Sequence, residues 1–158
     1  MAIALDDNTT ERIKANGVEP IDERMWKTGT PACDIYFICG TPAALRETKP
    51  LDAAILTTAD LVLFGLERLD DPPAALIKPF NLLYFKRADT LVDDDGNQLT
   101  SLDGMSGSPI FGAIRTPSGL SYWLLGIQSA VDRDIGRILI AFPFVHLGSH
   151  LENQQTAD

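Results

Sequence analysis

The chain has 158 residues, enough for one domain with a hydrophobic core of its own. Apolar residues make up 45% of it and charged residues 22%, which is typical of a globular protein. The formal net charge of −9 argues against nucleic acid or an anionic membrane surface as a partner. The sequence contains no apolar run long enough for a membrane span, and Asp6 and Asp7 near its start argue against a secretory signal.

The first 32 residues are polar and predict a connector segment. Thr9 or Thr10 could cap a short helix over residues 11–14, and Asn16-Gly17 would end it. The segment has no periodic apolar face of its own. We therefore expect it to pack against another part of the protein.

From residue 33 onward, short apolar runs alternate with turn residues, and this rhythm predicts β-strands. The absence of a strand–helix–strand rhythm argues against a parallel sheet, so we expect an antiparallel barrel or sandwich. Apolar residues at 144, 145, 147 and 151 predict a closing helix, and 153–158 form a tail. The predicted strands are 33–40, 51–58, 60–65, 80–87, 109–114, 122–129 and 138–142.

The two cysteines, Cys33 and Cys39, flank a run predicted to be a strand. Six strand residues span about 20 Å, whereas a disulfide needs Cα atoms within about 7 Å. We therefore expect free thiols and a reducing, cytoplasmic compartment. Two cysteines without a matching pair make a poor zinc site, and His146 and His150 have no evident third ligand, so we expect no metal and no cofactor.

The most informative stretch is Leu-Asp-Gly-Met-Ser-Gly-Ser-Pro at residues 102–109, where a serine lies between glycines on a turn that leads into a strand. Glycines adopt backbone angles closed to other residues. They would let the amides of Gly104 and Ser106 point into one space, where an oxyanion could form beside the Ser106 hydroxyl. Pro109 can start the strand because its missing N–H does no harm there. The alternative is a plain turn.

Two serine-hydrolase patterns can be compared with this stretch. The nucleophile elbow G-x-S-x-G requires a glycine where this chain has Ser108, and a helix where it continues as a strand. The pattern G-x-S-G-x-P matches at Gly104, Ser106, Gly107 and Pro109. In this motif the chain resembles the trypsin-like serine proteases.

The resemblance extends beyond the motif. Leu-Leu-Gly-Ile-Gln-Ser at 124–129 is similar to the strand that follows the nucleophile in that family, and residues 36–40 are similar to the strand that opens its second barrel. The match covers roughly residues 33–152. It implies an all-β fold in which an antiparallel six-stranded barrel, the carboxyl-terminal barrel of the trypsin-like fold, is followed by a helix.

The resemblance also implies roles for single residues. Ser106 would be the nucleophile, and the backbone N–H groups of Gly104 and Ser106 would form the oxyanion hole. A peptide or protein substrate would pair with a strand edge, and a specificity pocket would have an uncharged floor. The implied edge residues are Ile127, Gln128 and Ser129, and the implied floor is Thr100.

The resemblance fails at the catalytic base. The family places a histidine and an aspartate before the serine, whereas the two histidines here, His146 and His150, both follow Ser106 in the predicted closing helix. A serine without a base is a weak nucleophile, so we expect the chain alone to be nearly inert. It could be a fragment of a longer protease, half of an enzyme completed by a second chain with the amino-terminal barrel, or an inactive binding or self-association module, for example a homodimer.

Overall fold

A computed structural model describes residues 7–15, 21–26, 32–51, 54–59, 62–77, 81–87, 102–132 and 138–155. In these ranges, two helices and three short 3₁₀ turns accompany the strands. The helices are α1 (Asp7–Ala15) and α2 (Phe144–Gln155), and the 3₁₀ turns are Glu23–Met25, Ala43–Leu45 and Ala74–Leu76. The strands are β1 (Ile35–Gly40), β2 (Arg46–Leu51), β3 (Ala54–Ala59), β4 (Val62–Leu69), β5 (Leu83–Arg87), β6 (Pro109–Thr116), β7 (Gly119–Asp132) and β8 (Ile138–Pro143).

Six of the strands close into an antiparallel barrel in the order β1-β4-β5-β8-β7-β6. This confirms the predicted all-β fold, the six-stranded barrel and the carboxyl-terminal helix. The other two strands, β2 and β3, form a separate hairpin that runs from the pair Arg46–Ala59 to the pair Leu51–Ala54. The sequence prediction of one strand over 51–58 was wrong at this point, because it merged the end of β2 with β3.

The core is built from the inward-facing residues of the strands. The largest fully buried side chains on strands are Ile38, Phe85, Ile110, Leu125 and Leu139, which come from five different strands. Alternation along each strand turns these side chains to the same interior. Leu102 and Met105, from the loop before β6, join the same core, and Met105 is fully buried.

The strand registers define two rims of the barrel. One rim, which we call the turn rim, carries the end of β1 at Gly40, the start of β6 at Pro109 and the start of β8 at Ile138. The serine motif directly precedes β6, so it lies at the turn rim. Because β8 runs away from that rim, α2 begins at the opposite one.

Part of the predicted connector packs on α2. The Trp26 ring meets the Phe144 ring edge-on, with centroids 5.6 Å apart. A Cβ at Gly148 would lie 2.6 and 2.8 Å from two atoms of the same indole. The helix therefore needs a glycine there for the indole to approach. By contrast, most described side chains of α1 are exposed, and this helix is longer at both ends than predicted.

Both cysteines are free thiols, as the strand spacing predicted. Burial raises the pKa of Cys33 and of Cys39. Cys33 occupies space that Gly112 leaves open, since a Cβ at Gly112 would lie 2.5 Å from the Cys33 sulfur.

The Gly148 contact gives a test in which two effects have opposite signs. Alanine has a helix propensity better than glycine by about 1 kcal/mol, whereas the Cβ of Gly148→Ala must displace the Trp26 ring. We expect the displacement to dominate, with a net loss of about 1–2 kcal/mol in urea unfolding, within the usual cost of overpacking. Gly65→Ala is the control, because a Cβ there has nothing within 4 Å. A Gly148→Ala protein more stable than the original would contradict the packing of Trp26 on α2.

Candidate functional site

The serine motif folds as two successive tight turns. The Met105 amide donates to the Leu102 carbonyl at 3.1 Å, and the Ser108 amide donates to the Met105 carbonyl at 2.9 Å. The third residue of each turn is a glycine with positive φ, 86° at Gly104 and 91° at Gly107. A type II turn requires a positive φ at that position. The positive φ at these two positions therefore explains why both are glycines.

Two peptide units of the double turn are held through their carbonyl groups. The Asp103 carbonyl accepts from the Ala43 amide at 2.7 Å, and the Met105 carbonyl accepts from the Ser108 amide. In a trans peptide the N–H points away from the C=O. The amides of Gly104 and Ser106, which belong to these two units, are therefore fixed in direction.

Neither amide donates a hydrogen bond within the described part of the chain, and both residues are exposed. Two oriented backbone donors that flank a single residue can receive a negatively charged oxygen. The structure thus brings together the two donors that the sequence analysis assigned to an oxyanion hole.

A side chain from outside the motif also holds the double turn. Nη2 of Arg46, the first residue of β2, donates to the carbonyl oxygens of Gly104 at 2.9 Å and Thr41 at 3.1 Å. Sequence reasoning missed Arg46, because it lies 58 residues before Gly104 and belongs to no recognisable pattern. Gly40 supports the turn by its small size, since a Cβ there would collide with the Ser108 hydroxyl and lie 2.9 Å from Met105 Cε.

The double turn continues the pairing between β6 and β7. The Gly107 amide donates to the Gln128 carbonyl at 2.9 Å, and the Gln128 amide donates to the Ser108 carbonyl at 2.9 Å. Ile127 pairs with β6 on one side and β8 on the other. Two of the three residues assigned to a substrate-pairing edge, Ile127 and Gln128, therefore lie inside the ladder.

The third of these residues, Ser129, lies in the part of β7 that follows the end of its pairing with β6. The register with β8 shifts between Gln128 and Ala130, so Ser129 forms a β-bulge, and its hydroxyl donates to the Ile140 carbonyl at 3.1 Å. In the described ranges, residues 129–132 pair with β8 alone. Among the described residues, none pairs with the edge of β7 that faces the double turn at Ala130 and Val131. Bulges of this kind are frequent beside active sites.

The Ser106 side chain is exposed and makes no hydrogen bond to any residue that the structure describes. His146 is exposed in the first turn of α2, and its ring lies 6.1 Å from the Phe142 ring. It is therefore placed by the opposite rim rather than beside the motif. Thr100 lies outside the described residues, as does the side chain of His150.

Two surface grooves are present elsewhere on the barrel. One, of about 350 Å³, is lined by His146, Arg68 and Tyr84 among others. The other, of about 360 Å³, lies along β1, β4 and β5. Neither is lined by a residue of the double turn.

The ranges that the structure describes lack two features. They contain no group of three or more His, Cys, Asp and Glu side chains able to hold a metal ion. They also contain no helix that is both long enough and apolar enough to cross a membrane.

No protein-family model, curated protein or solved structure matches this chain. The class of site is therefore defined by its own geometry. It is an exposed serine on a double glycine turn, at one rim of a closed six-stranded antiparallel barrel.

The two turn glycines can be compared directly by substitution. A non-glycine residue in the left-handed region costs about 1–2 kcal/mol, so Gly107→Ala should lose about that much stability, because a Cβ there has nothing within 4 Å. Gly104→Ala should lose more, because its Cβ would also lie 3.0 Å from the Ala43 amide nitrogen. Urea unfolding of both variants measures the difference. Equal losses would contradict the close approach of Ala43 to the turn.

Proposed function

We propose that Ser106 is the nucleophile of a serine peptidase site of the trypsin-like kind. Its hydroxyl would attack the carbonyl carbon of a peptide bond, and the amides of Gly104 and Ser106 would stabilise the negative charge that develops on the carbonyl oxygen. The observation that carries the proposal is that these two amides have no partner among the described residues, while the carbonyl groups of their own peptide units are bound. Each donor in such a site is typically worth about 10²–10³ in rate.

The open edge of β7 supports a peptide or protein as the substrate. In the described part of the chain, Ala130 and Val131 pair with β8 and with no strand on the side of the double turn. An extended peptide can add to such an edge through main-chain hydrogen bonds, which do not depend on its sequence. A peptide on this edge would pass beside the Ser106 hydroxyl.

The base that the serine needs is proposed to come from a second chain. His146 lies by the other rim, and we propose that a second chain with an amino-terminal barrel, or a second copy of this chain, supplies the histidine. An apolar strip on the outside of the barrel supports such a partner. It contains Phe37 and Phe111, which stack at 5.4 Å, together with Leu63 and Tyr122, which are 66% and 45% exposed.

The position of this strip also supports a partner beside the site. Phe37 lies on β1 and Phe111 on β6, the two strands that meet the double turn at Gly40 and Pro109. Contiguous exposed apolar surface of this kind is typical of interaction sites. A partner that covers the strip would therefore lie next to Ser106.

One observation favours a second candidate function. The Ser106 hydroxyl makes no hydrogen bond to a described residue, so these residues supply no base. The same amides and the same open edge could hold a peptide without cleaving it. The chain would then be an inactive, peptidase-like binding or self-association module.

Labelling with an alkyl fluorophosphonate, read by intact mass, tests the proposed nucleophile. Because no described residue supplies a base, we expect slow labelling of the chain alone and at least tenfold faster labelling when imidazole is added as an external base. The acceleration should follow the neutral fraction of imidazole as pH rises. Ser106→Ala should abolish it, whereas Ser118→Ala, at an exposed serine of the β6–β7 turn, should not.

Two other results would contradict parts of the proposal. Labelling that persists in Ser106→Ala would contradict the assignment of the nucleophile. A folded chain that is not labelled even with imidazole would favour the binding module over the peptidase.

A further inference from the structure

Gln128 carries a buried polar group with no partner. Its side chain is 2% exposed, and its Oε1 atom accepts no hydrogen bond within the described structure. Folded proteins satisfy the great majority of their buried polar side-chain atoms, because an unpaired one keeps its desolvation cost without a compensating bond. The amide of Gln128 therefore needs an explanation.

The backbone of Gln128 fixes the position of this amide. Its N–H and C=O are both bonded to the double turn, at Ser108 and Gly107. Its cross-strand partner on β8 is Ala141, which is fully buried in the barrel core. Directly paired residues share one face of a sheet. The Gln128 side chain thus lies on the inner face of the barrel wall, close behind the turn that carries Ser106.

The double turn and the edge of β7 meet at Gln128. The bonds between the double turn and β7 end at Gln128, and the bulge at Ser129 follows at once. A bulge bends the strand and increases its twist. A peptide paired with Ala130 and Val131 would therefore begin beside Gln128, where the bonds to the double turn end.

We propose that the Gln128 side chain is a specificity-determining group for the substrate residue whose carbonyl Ser106 attacks. This inference rests on the proposed peptidase function and adds a substrate class to it. Oε1 would accept a hydrogen bond from an uncharged donor on that residue, an amide or a hydroxyl. A carboxylate has no proton to donate, and a buried ammonium group would lose its hydration without a counter-charge. A site built on such a bond rejects an apolar isostere strongly, because its own polar group then stays unpaired.

Two peptidyl phosphonates that differ only in this residue test the proposal. One carries a glutamine side chain and the other the apolar isostere norleucine, and labelling of Ser106 is measured with imidazole present. We expect the original protein to react at least tenfold faster with the glutamine probe. Gln128→Met, which keeps the length but removes the amide, should bring the ratio of the two rates close to one. A ratio is used because it cancels any general change in Ser106 reactivity.

Two controls accompany these rates. Ser118→Ala, on the exposed β6–β7 turn, should keep the original ratio. Gln128→Met should show a urea midpoint at or above the original, because it removes an unpaired buried group. An unchanged preference in the folded Gln128→Met protein would overturn the proposal.

A binding measurement separates failure of this inference from failure of the proposed chemistry. The side-chain NH₂ resonance of Gln128 is assigned by its loss in Gln128→Met and then followed in the Ser106→Ala protein. Peptide acids ending in glutamine or norleucine are added in turn. We expect a shift with the glutamine peptide alone. No shift with either peptide would overturn the role of Gln128, whereas a shift in a protein that is never labelled would contradict only the catalytic step.

Discussion

The site depends on the burial of one side chain, that of Met105. This residue is fully buried in the barrel core, yet its two neighbours in the motif are exposed. Met105 is the last residue of the first turn and the first residue of the second, so its buried side chain anchors both turns in the core. The positive φ angles of Gly104 and Gly107 provide these turns. Fully burying a methionine is worth about 1.5–3 kcal/mol, so the same contact that stabilises the core fixes the backbone that flanks Ser106.

The length of β7 determines which strands pair beside the double turn. The strand has 14 residues, and it pairs first with β6 and then with β8. At Gln128 the double turn replaces β6 as the hydrogen-bonding partner of β7. The bulge at Ser129 follows directly. In the described part of the chain, β8 is therefore the one strand that pairs with Ala130 and Val131 of β7. Arg46, from the separate β2–β3 hairpin, then fixes the Gly104 carbonyl from the other side.

The sequence predicted features that depend on local pattern. Short apolar runs separated by turn residues indicated the barrel strands, and a serine between glycines indicated a tight turn before a strand. Features that depend on long-range register could not be predicted in this way. Strand β2 was not predicted as a separate strand because its residues, Arg-Glu-Thr-Lys-Pro-Leu, contain no apolar run. The resemblance assigned Gln128 to a strand edge. Nothing in the sequence around it indicates that the double turn would bond both its N–H and its C=O.

The surroundings of Ser106 also limit the direction from which a base could come. The Ala43 amide and the Arg46 side chain hold the turn on one side, and the backbone of Gln128 holds it on another. If an extended peptide took the open edge of β7, that direction would be filled by the substrate. Of the described directions, the outer face of β1 and β6 would remain, and it carries the Phe37–Phe111 stack. The proposed partner would therefore bind this apolar strip and supply its histidine by the same contact, so that association and activation of Ser106 would be one event.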